Sequence, residues 1–178
     1  SSPSMDILIS SNLERLIYLS TGCDAEETKK RMEELSKDGK YSVTDEMRAR
    51  MADFVGGYAD QAANAAEIKR LYDETGYMID THTGVASCVY HNYVKETGDT
   101  KKTVIASTAS PYKFSRSVME AIFGSEEGKG EFEFIDEMEK ASGVKIPQAI
   151  EEIRKAEIRH NRQCKPEEME KTVSEILQ

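Results

Sequence analysis

The residues best suited to chemistry lie in one short stretch, residues 103–114, which reads TVIASTASPYKF. A β-prone segment over 103–106 runs into the hydroxyls of Ser107 and Thr108, and Pro111 then stands where prolines start helices. Open α/β sheets bind their ligands at the carboxyl ends of their strands. The pattern therefore predicts that Ser107 and Thr108 end a buried strand and contact a ligand.

The same residues also fit a second role as helix caps. Serine and threonine side chains just before a helix accept hydrogen bonds from amides of the first turn, which would otherwise be unpaired. Capping is the commoner of the two roles. The residue types of this stretch alone leave both interpretations open.

Three segments, in the same order along the chain, resemble the threonine synthases of bacteria and fungi. The motif STASPYKF is similar to the family's Ser-Thr-Ala-x-Pro-x-Lys-Phe signature, and the opening SSPSMDILISSNLERLIY is similar to a segment of its large domain. Residues 77–93, YMIDTHTGVASCVYHNY, resemble the family's Asp-x-His-x-x-Val-Ala helix start. The resemblance implies a helix-rich α/β fold, the C-terminal part of the large domain of a fold-type II pyridoxal phosphate enzyme.

The resemblance also implies an activity and a cofactor contact. Threonine synthases convert O-phospho-L-homoserine and water into L-threonine and phosphate, with pyridoxal phosphate as an electron sink for substrate carbanions. By resemblance, Thr108 faces the pyridine nitrogen of the cofactor, and Ser107 is the neighbouring alternative. A neutral hydroxyl at this place does not hold the ring nitrogen protonated as an aspartate would.

Two parts of the family pattern are absent from this sequence. The Phe-Lys-Asp context, which carries the lysine that forms the Schiff base, and the Gly-Asn-Phe loop that holds the cofactor phosphate do not occur. Lys113 is expected on the outer face of its helix and is not predicted to be that lysine. We therefore expect a C-terminal fragment of a longer enzyme, without a catalytic residue, without a covalent bond to the cofactor and inactive alone. The opening residues Ser4, Asp6 and Asn12 are given no role.

His82 is a further candidate, in the first turn of a helix that Asp80 or Thr81 caps. A histidine titrates near neutrality and can exchange protons. A first-turn histidine bonded to the backbone is equally an ordinary helix start. Because the resemblance places this motif near the cofactor cleft, we predict that His82 supports the site from behind the cofactor contacts.

The composition is typical of a helical protein with solvated faces. Hydrophobic residues make up 38% of the chain, charged residues 32% and aromatic residues 7%, and the net charge is −9. Basic residues are interspersed with acidic ones, so neither nucleic acid nor an anionic membrane is an expected partner. No apolar run approaches the about 20 residues that cross a bilayer, and no signal peptide opens the chain. We expect a cytoplasmic location, and the oligomeric state stays open.

The cysteines and histidines lack the spacing of a disulfide framework or a zinc site. We therefore predict reduced thiols and no metal. The residues concerned are Cys23, Cys88, Cys164, His82, His91 and His160.

Helix start and stop signals predict how the chain is organised. Ser11 and Glu14 form a capping box for a first helix, and Asp60 and Gly76 delimit a long one. Short β-prone pieces are expected at 41–43 and 54–58. We predict a mainly helical elaboration over 24–76, a helix-strand-helix part with the cofactor-side motif over 77–124, and a C-terminal helical segment over 125–178.

Two other classes of function stay open beside the threonine synthase interpretation. High charge, few aromatic residues and capped amphipathic helices are also typical of a non-catalytic helical interaction module. Hydroxyls at strand ends and helix starts are also found in phospho-ligand-binding domains. Binding of pyridoxal phosphate and release of inorganic phosphate discriminate the enzyme from both.

Overall fold

A computed structural model describes residue 7 and residues 9–125, 127–159 and 161–177. Ser4, Asp6 and His160 therefore lie outside the described residues. The chain divides into two units, Ser1–Val144 and Lys145–Gln178. The helices of the first unit are α1 (Ser11–Ser20), α2 (Ala25–Asp38), α3 (Asp45–Arg50), α4 (Gln61–Thr75), α5 (Thr81–Thr97), α6 (Ser115–Phe123) and α7 (Glu131–Ser142). The second unit contains α8 (Gln148–Lys155) and α9 (Met169–Ile176).

Most helix ends follow the signals in the sequence. The predicted long helix is α4, where an Asp60 side-chain oxygen accepts a hydrogen bond from the Ala63 amide at 2.8 Å. Gly76 ends α4 at a φ of 72°, in the left-handed region where glycine is favoured. The first helix begins one residue earlier than predicted, because Ser10 and not Ser11 is its N-cap. The helix ends are thus set by local capping chemistry.

The core of the first unit lies between its helices. Helix α1 packs on α2 and α3, while α4 packs on α5 and α6, and α6 packs on α7. The most deeply buried apolar side chains come from α1, α4, α6 and α7, and they are Ile17, Ile68, Val118, Phe134 and Met138. Among the described residues no helix is both long and apolar enough to cross a membrane.

Helices α4 and α5 approach each other closely at Gly84. A Cβ atom at this position would lie 2.2 Å from the Asn64 side-chain oxygen and 2.9 Å from a side-chain carbon of Ile68. The Asn64 amide nitrogen donates to the Thr81 carbonyl at 2.9 Å. The absence of a side chain at Gly84 therefore lets α4 hold the first turns of α5.

A buried carboxylate joins the same two helices further along. Glu67 of α4 is 7% exposed, and it accepts hydrogen bonds from Ser87 at 2.5 Å and from Arg70 at 2.8 and 2.9 Å. The Nδ1 atom of His91 lies 2.8 Å from the same carboxylate. The hydrogen bonds from Arg70 lower the pKa of Glu67 to about 2. The cluster acts as a polar clamp between α4 and α5.

The strand predicted over 103–106 is wrong. Residues 99–110 form no helix or strand apart from a bend at Ala109, and Val104 is 90% exposed. A β-strand needs a neighbour to pair its backbone, and the described residues contain no strand at all. The β-prone pieces at 41–43 and 54–58 are likewise irregular. The hydroxyls of the motif thus follow an extended loop, not a buried strand.

The second unit has little core of its own. Neither α8 nor α9 contains a buried residue among those described. Apolar side chains of these helices, such as Ile153, Met169 and Val173, are more than half exposed. A short unit that buries so little apolar surface gains little stability from its own contacts.

Replacing Gly84 with alanine should destabilise the protein. The new methyl group would overlap Asn64 and Ile68, a cost of about 1–3 kcal/mol, which outweighs the about 1 kcal/mol that alanine gains in a helix. Urea unfolding of the purified protein measures the change. Gly56→Ala is the matched control, because a Cβ there meets nothing within 4 Å. Equal stabilities of the two variants would contradict the close approach of α4 and α5.

Glu67 should make stability depend on pH in the acid range. Its folded-state pKa of about 2 lies below its ordinary value of 4.5, so its contribution is complete above about pH 4.5 and is lost as the pH falls toward 2. Glu67→Gln should cost about 2 kcal/mol at pH 7 and flatten the unfolding free energy between these pH values. The exposed Glu33→Gln is the control, and an equally steep acid dependence in Glu67→Gln would contradict the assignment.

Candidate functional site

The site begins at the start of α5, where a buried carboxylate organises the first turn. Asp80 is 0% exposed, and one of its oxygens accepts hydrogen bonds from the amides of His82 at 2.8 Å and Thr83 at 3.3 Å. Its other oxygen accepts a hydrogen bond from the Thr83 hydroxyl. Met78 and Ile79, directly before Asp80, are buried. The apolar core and the cap together hold this helix end in place.

A hydrogen bond between side chains connects the helix start to the motif predicted to bind the cofactor. The oxygen atoms of Thr83 and Ser107 lie 2.9 Å apart, across a sequence separation of 24 residues. Thr83 is buried, whereas Ser107 is exposed. The hydroxyl of Ser107 is therefore held by α5, and it does not cap the helix that follows the motif.

A ring contact connects the same two motifs at a second point. The centroids of the His82 and Phe114 rings lie 4.8 Å apart with an interplanar angle of 61°, an edge-to-face arrangement. His82 is 18% exposed, and its Nδ1 atom lies 3.3 Å from an Asp80 oxygen. His82 thus occupies the helix start between the Asp80 carboxylate and the Phe114 ring. Its predicted supporting role is compatible with this position.

The remaining motif residues build the next helix. The Ser110 hydroxyl accepts a hydrogen bond from the Tyr112 amide at 3.3 Å, and Pro111–Phe114 form a 3₁₀ turn that leads into α6. Tyr112 is buried and donates its hydroxyl proton to the Val144 carbonyl, and burial raises the pKa of Tyr112. Of the three motif hydroxyls, Ser110 is the cap.

Thr108 differs from its neighbours. Its side chain is exposed, and no side-chain hydrogen bond joins it to another residue in the described part of the chain. Lys113 is exposed as expected, with its Nζ atom 5.6 Å from the centroid of the Phe114 ring. The arrangement presents one neutral hydroxyl on a loop that is anchored on both sides of it.

Sequence reasoning found Asp80, His82, Ser107 and Thr108, but it missed Thr83. The signal for its bond to Asp80 was present, since residues three apart at a helix start often bond to each other. Its bond to Ser107 has no signal in the local sequence, because the two residues meet only through the fold. Among the described residues, no group of three or more histidine, cysteine and acidic side chains is placed to hold a metal ion.

Comparisons with known proteins agree on one family. The sequence model described as "Threonine synthase, C-terminal" matches residues 83–173. The threonine synthase of Saccharomyces cerevisiae is 31% identical over 160 residues, covering 81% of this chain and 31% of that protein.

Two solved structures are similar to this chain as well. The crystal structure of threonine synthase from Brucella melitensis with pyridoxal phosphate bound has a TM-score of 0.60 at 29% identity, covering 81% of this chain and 29% of that one. The crystal structure of the yeast threonine synthase has a TM-score of 0.67 at 25% identity, covering 88% of this chain and 31% of that one.

The chain spans 31% of the length of the Saccharomyces cerevisiae protein that it matches. The family model covers more than half of the chain, including Thr83, Ser107 and Thr108. The structural similarities confirm the helix-rich fold class, that of a threonine synthase part, which the sequence resemblance implied. The match therefore includes the two motifs that the structure brings together, and the chain belongs to the threonine synthase family.

Proposed function

We propose that this chain forms the C-terminal part of a threonine synthase. The longer enzyme converts O-phospho-L-homoserine and water into L-threonine and phosphate with pyridoxal phosphate. The observation that carries the proposal is Thr108, a hydroxyl exposed and without a recorded partner in the described chain, next to a Ser107 that is held by α5. The family match and the pyridoxal phosphate bound in the Brucella melitensis relative support it.

The residues of this chain fit one side of the cofactor. A neutral threonine hydroxyl can donate a hydrogen bond to an unprotonated pyridine nitrogen. Pyridoxal phosphate supplies an electron sink for the substrate's carbanion when it is bound. Thr108 would orient the ring at its nitrogen, and because the hydroxyl is neutral it would leave that nitrogen unprotonated. A carboxylate at the same place would favour the protonated ring.

The rest of the cofactor site would come from another part of the longer enzyme. Lys113 is exposed on the 3₁₀ turn, with its ammonium group over Phe114, and the family's Phe-Lys-Asp and Gly-Asn-Phe segments do not occur in this sequence. This chain would thus provide the nitrogen side of the cofactor site, but neither the covalent attachment nor the phosphate loop. We propose that it is inactive alone.

Thr108→Val should lower the turnover of the longer enzyme. The substitution keeps the shape of the side chain and removes the hydroxyl, and the loss of one hydrogen bond to the cofactor corresponds to about a 10- to 100-fold fall in kcat. Steady-state kinetics with O-phosphohomoserine measures it. Thr103→Val is the matched control, because Thr103 lies in the same loop and bonds only to the Lys101 carbonyl. Unchanged kinetics of Thr108→Val would contradict the contact.

The reaction itself is tested by adding pyridoxal phosphate and O-phosphohomoserine to the isolated chain and to the longer enzyme. We expect the longer enzyme to develop the visible absorbance of bound cofactor and to release inorganic phosphate, and the isolated chain to release none. A longer enzyme that binds the cofactor but releases no phosphate would overturn the function. Phosphate release by the isolated chain would overturn its proposed inactivity.

A further inference from the structure

We propose that Asp80, acting through Thr83 and Ser107, decides which hydroxyl of the motif can donate a hydrogen bond to the cofactor nitrogen. Asp80 and Thr83 are then positioning residues, which do not touch the cofactor themselves. The inference rests on the proposed function, since it concerns the same cofactor contact. It is carried by the direction of the hydrogen bonds between three side chains.

The direction follows from counting protons. A carboxylate only accepts hydrogen bonds, so the bond between Asp80 and the Thr83 hydroxyl uses the proton of Thr83. A hydroxyl carries one proton, and Thr83 therefore has only lone pairs left for Ser107. The 2.9 Å contact between the two hydroxyl oxygens then requires Ser107 to donate its own proton to Thr83.

This direction separates the two candidate cofactor contacts. Ser107 has spent its proton on Thr83, and it can offer a ligand only lone pairs. An unprotonated pyridine nitrogen is itself an acceptor and gains nothing from such a neighbour. Thr108 keeps its proton, because no side-chain hydrogen bond holds it in the described part of the chain. The chain of hydrogen bonds thus selects Thr108 as the donor.

The same bonds anchor the loop that carries Thr108. Residues 99–110 have no regular structure beyond the bend at Ala109. Asp99, at the start of the loop, accepts a hydrogen bond from the Tyr93 hydroxyl of α5 at 3.1 Å. Within the described residues, the next recorded side-chain hydrogen bond from the loop to another element is that of Ser107 to Thr83. Thr108 directly follows this anchor, so its position depends on it.

Aspartate adds something at position 80 that capping alone does not require. Asparagine caps helices about as well as aspartate. An asparagine side chain, however, offers an NH₂ donor where Asp80 offers a second acceptor. With that donor facing Thr83, the Thr83 proton would turn toward Ser107, and Ser107 would regain its own proton. The substitution therefore reverses the direction of the chain while it keeps the cap.

The test uses Asp80→Asn and Thr83→Val in the longer enzyme, with Thr83→Ser as the conservative variant. The readouts are the visible absorbance of bound pyridoxal phosphate, kcat and KM, and amide hydrogen exchange of residues 105–109 in the cofactor-free enzyme. Thr83→Val should speed this exchange and lower kcat about tenfold with KM little changed, as expected for one lost hydrogen bond. Asp80→Asn should shift the absorbance with the exchange unchanged, and Thr83→Ser should restore the original behaviour.

Ser87→Ala is the matched control for lost stability. It also removes a buried hydroxyl of α5, one that bonds to Glu67 away from the motif, and it should lower the unfolding temperature without shifting the absorbance. If Thr108→Val shifts the absorbance but Asp80→Asn and Thr83→Val do not, the inference is overturned and the proposed function stands. If Thr108→Val itself leaves the absorbance and turnover unchanged, the proposed cofactor contact has failed. Should Asp80→Asn not fold, the Thr83 pair decides the question alone.

Discussion

The start of α5 depends on one carboxylate that is removed from water. Asp80 is fully buried, and a buried acceptor of this kind is tolerated only when hydrogen-bond donors surround it. Two amides of the first turn and the Thr83 hydroxyl meet that need. The same donors fix the first turn of α5 and orient Thr83 toward the loop that carries Ser107. The helix start and the loop are therefore parts of one hydrogen-bonded structure.

Helix α5 can hold this structure because α4 holds α5. The missing side chain of Gly84 lets the two helices approach, and Glu67 connects α4 to Ser87 and His91 further along. Packing alone fixes the separation of two helices but leaves sliding along the axes comparatively free. A buried carboxylate with directional partners opposes that sliding. The polar clamp and the close approach therefore set the position of Asp80 relative to the core.

The chain contributes a specific part of the site that we propose. Its two motifs meet at the start of α5, where ring packing between His82 and Phe114 and the Thr83–Ser107 hydrogen bond flank Thr108. This chain is 31% of the length of its Saccharomyces cerevisiae relative. Such a division of the cofactor site between segments makes its assembly depend on the packing of the whole enzyme. The exposed apolar residues of α9, such as Met169 and Val173, show that the second unit does not supply a core by itself.

The sequence by itself determined the helix ends and the family. Asp60, Asp80 and Gly76 act on amides and carbonyls within one helical turn, so residue type and spacing are enough to predict them. The predicted strand at 103–106 failed because β-propensity describes a fit to a neighbouring strand, and the described fold offers none. Only the tertiary structure decided the roles of the motif hydroxyls. Ser107 bonds to Thr83 across 24 residues, and a contact between residues that far apart is set by helix packing, which local residue patterns do not encode.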